Sequence, residues 1–313
     1  ILERIADGLE SRQEEIARLI SLEAGKPLKD ARVEAARGVF TLRVAVEEAK
    51  RLGGEVIPLD LMASSRGRFG ITRRYPIGVI AGISPFNFPL NLALHKLAPA
   101  IASGNTLVLK PPTRDPLTML TVAEIVHDAG LPRGAVSIMP MSRAVGDRLV
   151  TDERFKLLSF TGSPDVGWDM KARAGKKRVV LELGGNAGVI VDRDADIAPA
   201  ASRVRAGAFA YAGQVCISVQ RILVHEDAFR SFFDRFFSVA EALKSGHPLD
   251  PETEISSLIT EEEAERIESW IDDATSAGAR KAFGGVRHSA SVSPAKWLIA
   301  TTTGTPKPFT LAM

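Results

Sequence analysis

The hydrophobic positions of the first fifty residues recur every three to four: Ile1, Ile5 and Leu9, then Ile16, Leu19 and Ile20. That spacing lines them along one stripe of a helix and predicts two amphipathic helices over residues 1–51, broken at Gly25 and Pro27. Glycine ends a helix at little steric cost, and proline lacks the N–H that would continue one. The period then drops to two. Residues 55–59 and 68–74 alternate apolar and polar around a Ser/Gly turn, which predicts a two-stranded hairpin that projects from the body.

From Gly78 the pattern changes again. Short apolar runs at 78–83, 106–109, 135–139, 157–160 and 179–183 are separated by stretches of helical period. Strands alternating with helices imply a parallel sheet with right-handed crossovers, so the expected fold class is α/β. Helical signals at 197–212, 229–243 and 261–277, with a strand at 221–225, predict a second α/β domain after Gly185. The expected organisation is residues 1–185, residues 186–288, and a tail over 289–313 rich in Ser, Thr and Pro. The chain starts on Ile1, already in helical register, and reads as if it began inside a helix.

Composition narrows the class. The 313 residues are 45% hydrophobic and 25% charged, with 26 Gly and 18 Pro, which excludes collagenous, fibrous and disordered chains. Net charge is only +2, and the basic residues are spread out, so nucleic acid and anionic membrane are not expected partners. One cysteine forbids an internal disulfide framework, and no apolar run approaches the roughly 20 residues of a membrane helix, so a cytoplasmic location is expected. Five scattered histidines without HxxxH or CxxC spacing give no metal ligand set.

Ligands of open parallel sheets sit beyond the carboxyl ends of the strands, which gives weight to polar residues there. Five such places stand out: Pro85-Phe86-Asn87-Phe88-Pro89, Lys110-Pro111-Pro112, Phe160-Thr161-Gly162-Ser163, Glu182-Leu183-Gly184-Gly185 and Gly213-Gln214-Val215-Cys216. In this order and spacing they resemble the aldehyde dehydrogenase superfamily over roughly residues 1–285. The resemblance implies a Rossmann-like cofactor domain followed by a catalytic domain, and oxidation of an aldehyde to a carboxylic acid with a nicotinamide cofactor. In it Cys216 is the nucleophile that forms a thiohemiacetal and then a thioester. Asn87 is the oxyanion donor, together with the Cys216 N–H, and Glu182 is the general base that hydrolyses the thioester, its pKa raised by burial.

Each residue also has a plainer reading: Cys216 as a buried inert thiol, Asn87 as a cap of the helix that follows it, Glu182 as an ordinary carboxylate. Members that pass the acyl group to coenzyme A or phosphate typically lack the base, so Glu182 favours hydrolysis. The cofactor residues implied are Ile83, Ser84, Pro85, Phe86, Lys110, Thr113, Gly162, Ser163, Gly167, Leu183 and Gly184. No GxGxxG follows the first strand of the sheet; the pyrophosphate is expected at the helix after Gly162-Ser163. Where NAD-preferring relatives often carry a glutamate, this chain has Thr113 followed by Arg114, so NADP is expected ahead of NAD.

The family's Glu-Ile-Phe-Gly-Pro motif, which holds the nicotinamide ribose, does not occur after Cys216. Neither does the final oligomerisation strand. The expectation is therefore a sequence truncated at both ends, its catalytic domain incomplete. The family is homo-oligomeric, with the hairpin at 55–74 as part of that contact, while the missing strand argues against an oligomer for this chain. Two other functions stay open: an inactive nucleotide-binding relic, and cofactor-independent esterase action by the same thiol. The expected substrate is a small or polar aldehyde, because Asn91 and His95 are polar positions that could face it.

Overall fold

The computed structural model describes residues 1–284 together with strands at 297–300 and 309–310. Three helices open the chain, α1 (Leu2–Ser11), α2 (Gln13–Ala24) and α3 (Leu28–Ala49), where periodicity predicts two. The extra break is at Arg12, which leaves helical geometry at φ −108° and ψ 17°. Its guanidinium holds Glu15 at 2.8 Å and Glu124 at 3.0 Å. Leu9 and Ile16 stand two helical turns apart, so the hydrophobic stripe runs across the kink without registering it. The predicted hairpin is present as β1 (Val56–Pro58) and β2 (Phe69–Ile71), antiparallel with Val56 opposite Ile71.

The chain divides into two units, residues 1–16 with 33–182, and residues 17–32 with 183 onward. In the first, β3 (Val79–Ile83), α4 (Asn91–Ala102), β4 (Thr106–Lys110), α5 (Leu117–Asp128), β5 (Val136–Ile138), α6 (Arg143–Thr151), β6 (Phe155–Gly162), α7 (Pro164–Arg173) and β7 (Arg178–Leu183) alternate as the sequence predicts. The strand order is β5-β4-β3-β6-β7, and the pairs β3/β4, β4/β5 and β3/β6 are parallel. Helices pack on the sheet, so its central strand β3 is apolar throughout rather than alternating. Ala81, Leu107, Leu109 and Leu158 are buried, as are Leu94 and Leu97 of α4 and Met119 and Val122 of α5. Each such leucine contributes about 1.5–3 kcal/mol by leaving water. Strand β7 lies at the sheet edge and alternates instead, with Arg178, Val180 and Glu182 exposed and the residues between them half-buried.

The second unit is built on β8 (Ala187–Val191), α8 (Ile197–Phe209), β9 (Val219–Val224), α9 (Glu226–Glu241), α10 (Glu261–Ser276), β10 (Arg280–Gly284), β11 (Trp297–Ala300) and β12 (Phe309–Thr310). Its sheet is mixed, in the order β10-β11-β12-β9-β8, and only β8/β9 is parallel. Strands β11 and β12 come from the segment whose weak periodicity reads as a tail. Its core joins Phe209, Phe232 and Phe236 to Ile222, Ile255 and Ile267. The Phe232 and Phe236 rings stack 5.6 Å apart. Residues 17–32 are tied into this unit: Leu28 N–H donates to Pro248 O at 2.8 Å, and the Tyr211 hydroxyl donates to Ala24 O.

Candidate active site

In the first unit the chain steps outward from β3 to β4 to β5, then returns to the far side of β3 as β6. Strand order therefore reverses between β3 and β6, and in open α/β sheets the crevice at such a reversal is where a ligand lodges. The candidate cofactor residues gather at this end of the sheet. Ile83 is in register with Lys110 on one side and Phe160 on the other, so the three stand in one row across adjacent strands. Ser84, buried, continues the row by donating its N–H to Lys110 O at 3.2 Å. Pro85 and Phe86 follow it, half-buried.

The Lys110 ammonium bonds Thr113 Oγ1 at 3.1 Å and Pro111 O at 3.2 Å. Burial pushes its pKa down, and the neighbouring positive charge of Arg143 adds to that. Gly162 ends β6 and Pro164 begins α7. The side chain of Ser163, at the helix N-cap, makes no capping bond, which leaves first-turn N–H groups for another acceptor. Asp165 in the same turn already places one negative charge there. Gly167 is buried one turn on, and its N–H donates to Ser163 O.

Asn87 sits four residues beyond β3, partly buried, in the turn that leads into α4. That helix is anchored by a residue sequence reasoning missed. Glu34 of α3 is 1% exposed, and its Oε1 accepts from the N–H groups of Leu90 at 3.0 Å and Asn91 at 3.1 Å. A carboxylate at a helix N-terminus satisfies orphan donors and opposes the dipole, and a glutamate mid-helix in α3 gives no linear signal of this role. Asn91 is also fixed, buried with its Oδ1 accepting from Thr41 at 3.0 Å. His95, one turn further along α4, keeps an exposed position.

Lys96 is the second residue missed. It is 5% exposed and donates to Thr161 Oγ1 at 2.6 Å. Burial pushes its pKa down to about 8, against the pull of the Glu182 carboxylate. Partial burial, Lys96 and Arg37 push the His95 pKa down as well, and Glu182 again acts in the opposite sense. Glu182 itself is exposed, because the alternation of an edge strand turns it outward. The burial expected to strengthen it as a base is not found.

Cys216, in the second unit, is exposed on the turn that enters β9. Three to five residues before it the backbone runs left-handed, with Tyr211 at φ 49°, Ala212 at φ 53° and Gly213 at φ 78°. For each non-glycine that conformation costs about 1–2 kcal/mol, so the surrounding contacts must impose it. The turn is held from several sides. Ser218 Oγ, buried, reaches Ala208 O at 3.3 Å, and Gln214 Oε1 accepts from Ile259 N–H at 2.9 Å. Gly185 packs so tightly that a Cβ there would lie 2.7 Å from the Cys216 carbonyl oxygen. Gln220 Nε2 donates to Gly185 O at 3.3 Å and Arg221 to Asn186 O at 3.1 Å, fastening the Gly-Gly-Asn segment to β9. Leu183 is half-buried and Gly184 exposed at the start of that segment. The catalytic candidates thus divide, with Asn87 and Glu182 on the first unit and Cys216 on the second.

Among the described residues no helix is long and apolar enough to cross a membrane, and no group of three or more His, Cys, Asp or Glu could hold a metal ion.

A switch-point crevice on a parallel sheet, joined in one chain to a mixed α/β unit that presents an exposed thiol, places the protein in the α/β class with a Rossmann-like first domain. The aldehyde dehydrogenase family model matches residues 1–302, and the chain belongs to that family. It is 42% identical over 295 residues to 3-sulfolactaldehyde dehydrogenase from Priestia aryabhattai, covering 94% of this chain and 62% of that one. Aldehyde dehydrogenase 21 from Physcomitrella patens, solved with the reaction product succinate, superposes with a TM-score of 0.89 at 47% identity, over 94% of this chain and 62% of that one. Glyceraldehyde-3-phosphate dehydrogenase from Methanocaldococcus jannaschii, solved with NADP, does so at 0.89 and 40% identity, over 94% and 64%. The chain thus spans less than two thirds of the length of these relatives.

Proposed function

We propose that this chain carries the cofactor-binding and thiol-bearing portions of an NAD(P)-dependent aldehyde dehydrogenase that converts a small polar or anionic aldehyde to its carboxylic acid. The observation that carries the reading is the Cys216 turn. The one cysteine of the chain is exposed just beyond two strained residues, Tyr211 and Ala212, and Gly185, three residues along from Glu182, packs closely against its carbonyl oxygen. The relatives named above act on a sulfonated aldehyde, a phosphorylated one, or form succinate, which supports the anionic class.

The roles follow from the groups. The Cys216 thiolate adds to the aldehyde carbon, and the carbonyl oxygen becomes an oxyanion that accepts from the Asn87 amide and the Cys216 N–H; one such donor is worth about 3 kcal/mol. When bound, the nicotinamide cofactor supplies the two-electron oxidant that makes the adduct a thioester. Glu182 then takes a proton from water, the water oxygen bonds to the acyl carbon, the C–S bond breaks, and acid and thiolate separate. The switch-point crevice fits such a cofactor: Ile83 to Phe86, Lys110, Thr113 and the open first turn at Gly162, Ser163 and Gly167 form one edge, continued in the chain by Leu183 and Gly184. With no carboxylate at position 113 and Arg143 beside Lys110, the 2′-phosphate of NADP is favoured over NAD. The exposed apolar hairpin, with Val56, Phe69 and Ile71 each about 70% accessible, is the surface through which copies associate.

NAD(P)H formation at 340 nm with lactaldehyde, succinic semialdehyde and glyceraldehyde 3-phosphate tests the proposal. Turnover lost in Cys216→Ala supports it. Folded protein that binds NADP without turnover establishes the relic reading, and ester cleavage without cofactor the esterase reading.

A further inference from the structure

The carbonyl groups of the last helical turn have no partner within their own helix. In α2 that turn ends at Ala24, and Gly25 breaks the helix at φ +67°, packed so closely that a Cβ would lie 2.4 Å from Ser257 Oγ. The Ala24 carbonyl accepts from the hydroxyl of Tyr211, a residue 2% exposed and 187 positions away in sequence. Lys26, 1% exposed, places its ammonium 4.8 Å from the centroid of the same ring. Tyr211 is also the first residue of the left-handed run, and its own carbonyl accepts from Gln214 N–H at 3.1 Å and Gln214 Nε2 at 3.3 Å. Two hydrogen bonds follow, from Val215 N–H to Gly213 O at 2.7 Å and from Ser218 N–H to Val215 O at 2.9 Å. Cys216 lies between the two residues joined by the second bond.

We infer that Tyr211 is a positioning residue for Cys216: its hydroxyl, seated on the end of α2 beneath Lys26, holds residues 211–213 left-handed and so sets where the turn presents the sulfur. The inference rests on Cys216 being the nucleophile. Strain of this kind persists only where neighbours over-determine it, and the bond to Ala24 ties a strained residue itself to a separate element of the same unit. Ala212 follows passively. Since it has a Cβ, it adopts φ 53° only while its flanks are fixed, whereas glycine would hold that angle unaided.

The test uses Tyr211→Phe, Ala212→Gly, the double variant and Cys216→Ala in the whole chain, with two readouts. The first is the rate at which nitrophenyl acetate acetylates the thiol: sulfur bonds to the acyl carbon, the ester C–O bond breaks, and nitrophenolate leaves with the electron pair while the thiol proton passes to water. The second is hydrogen exchange of the 209–218 peptide against peptides of α9 and β9. In Tyr211→Phe, acetylation is expected to fall about tenfold and exchange to rise about tenfold in 209–218 alone, with α9 and β9 unchanged. Adding Ala212→Gly should recover most of the acetylation rate, which a general loss of stability would not permit. Equal acetylation and equal 209–218 exchange in wild type and Tyr211→Phe overturn the inference, as does increased exchange spread evenly over the unit. If Cys216→Ala retains acetylation, the nucleophile reading fails, and the exchange data decide the anchor on their own.

Discussion

Lys96 holds a positive charge in a place almost closed to water, bonded to one hydroxyl, and burial brings its pKa from 10.5 to about 8. A lysine whose folded-state pKa lies below its unfolded value binds fewer protons when folded, so stability rises as pH passes from about 8 to 10.5. Below pH 8 both states are protonated, and the folded state carries the whole cost of the buried charge. At 1.36 kcal/mol per pH unit, the full interval corresponds to roughly 3 kcal/mol, of which about 2 kcal/mol is recovered between pH 7 and pH 9.5. Lys96→Met keeps the length of the chain and removes the proton. Urea unfolding of both proteins at the two pH values gives a double difference in which titrating groups not coupled to Lys96 cancel, leaving Lys96 with its smaller interactions with His95 and Glu182. Wild type should gain about 2 kcal/mol on Lys96→Met on going from pH 7 to pH 9.5, and the variant should be the more stable at pH 7. A double difference below about 0.5 kcal/mol would refute the reasoning, since it would mean that the ammonium is solvated in the folded state.

Glu34→Ala leaves the N–H groups of Leu90 and Asn91 without their buried acceptor, at about 1–3 kcal/mol for each, so the first unit should melt earlier and Glu34→Gln should restore part of the loss. Gly185→Ala drives a methyl against the Cys216 carbonyl; a loss of about 1–3 kcal/mol with slowed thiol acetylation is expected, and unchanged melting would show that the close approach is not real. Phe69→Glu with Ile71→Glu should lower the mass measured by light scattering if the hairpin joins copies, and a monomeric wild type would contradict that role.

Periodicity and turn chemistry were enough to locate the hairpin, the five strands of the first sheet and the main helices of the second unit. These elements are local: a strand covered on both faces must be apolar along its length, and an amphipathic helix must repeat at about 3.6 residues. Five short motifs, in their order and spacing, likewise led to the family. The kink at Arg12 escaped because an ion pair to Glu124, distant in sequence, helps hold it. Strand β8 went unread because its apolar run directly follows the glycines of the preceding motif, and β11 and β12 are defined by pairing with β10, with each other and with β9. The exposure of Glu182 was decided by its place on an edge strand, a property of strand order rather than composition. Glu34, Lys96 and Tyr211 have no sequence signature either, because what each does depends on a partner 50 or more residues away. Residue type and spacing determined which reactive groups the protein owns; tertiary contacts alone decided which of them are buried, anchored or strained, because burial and strain are imposed by neighbours that the linear order does not reveal.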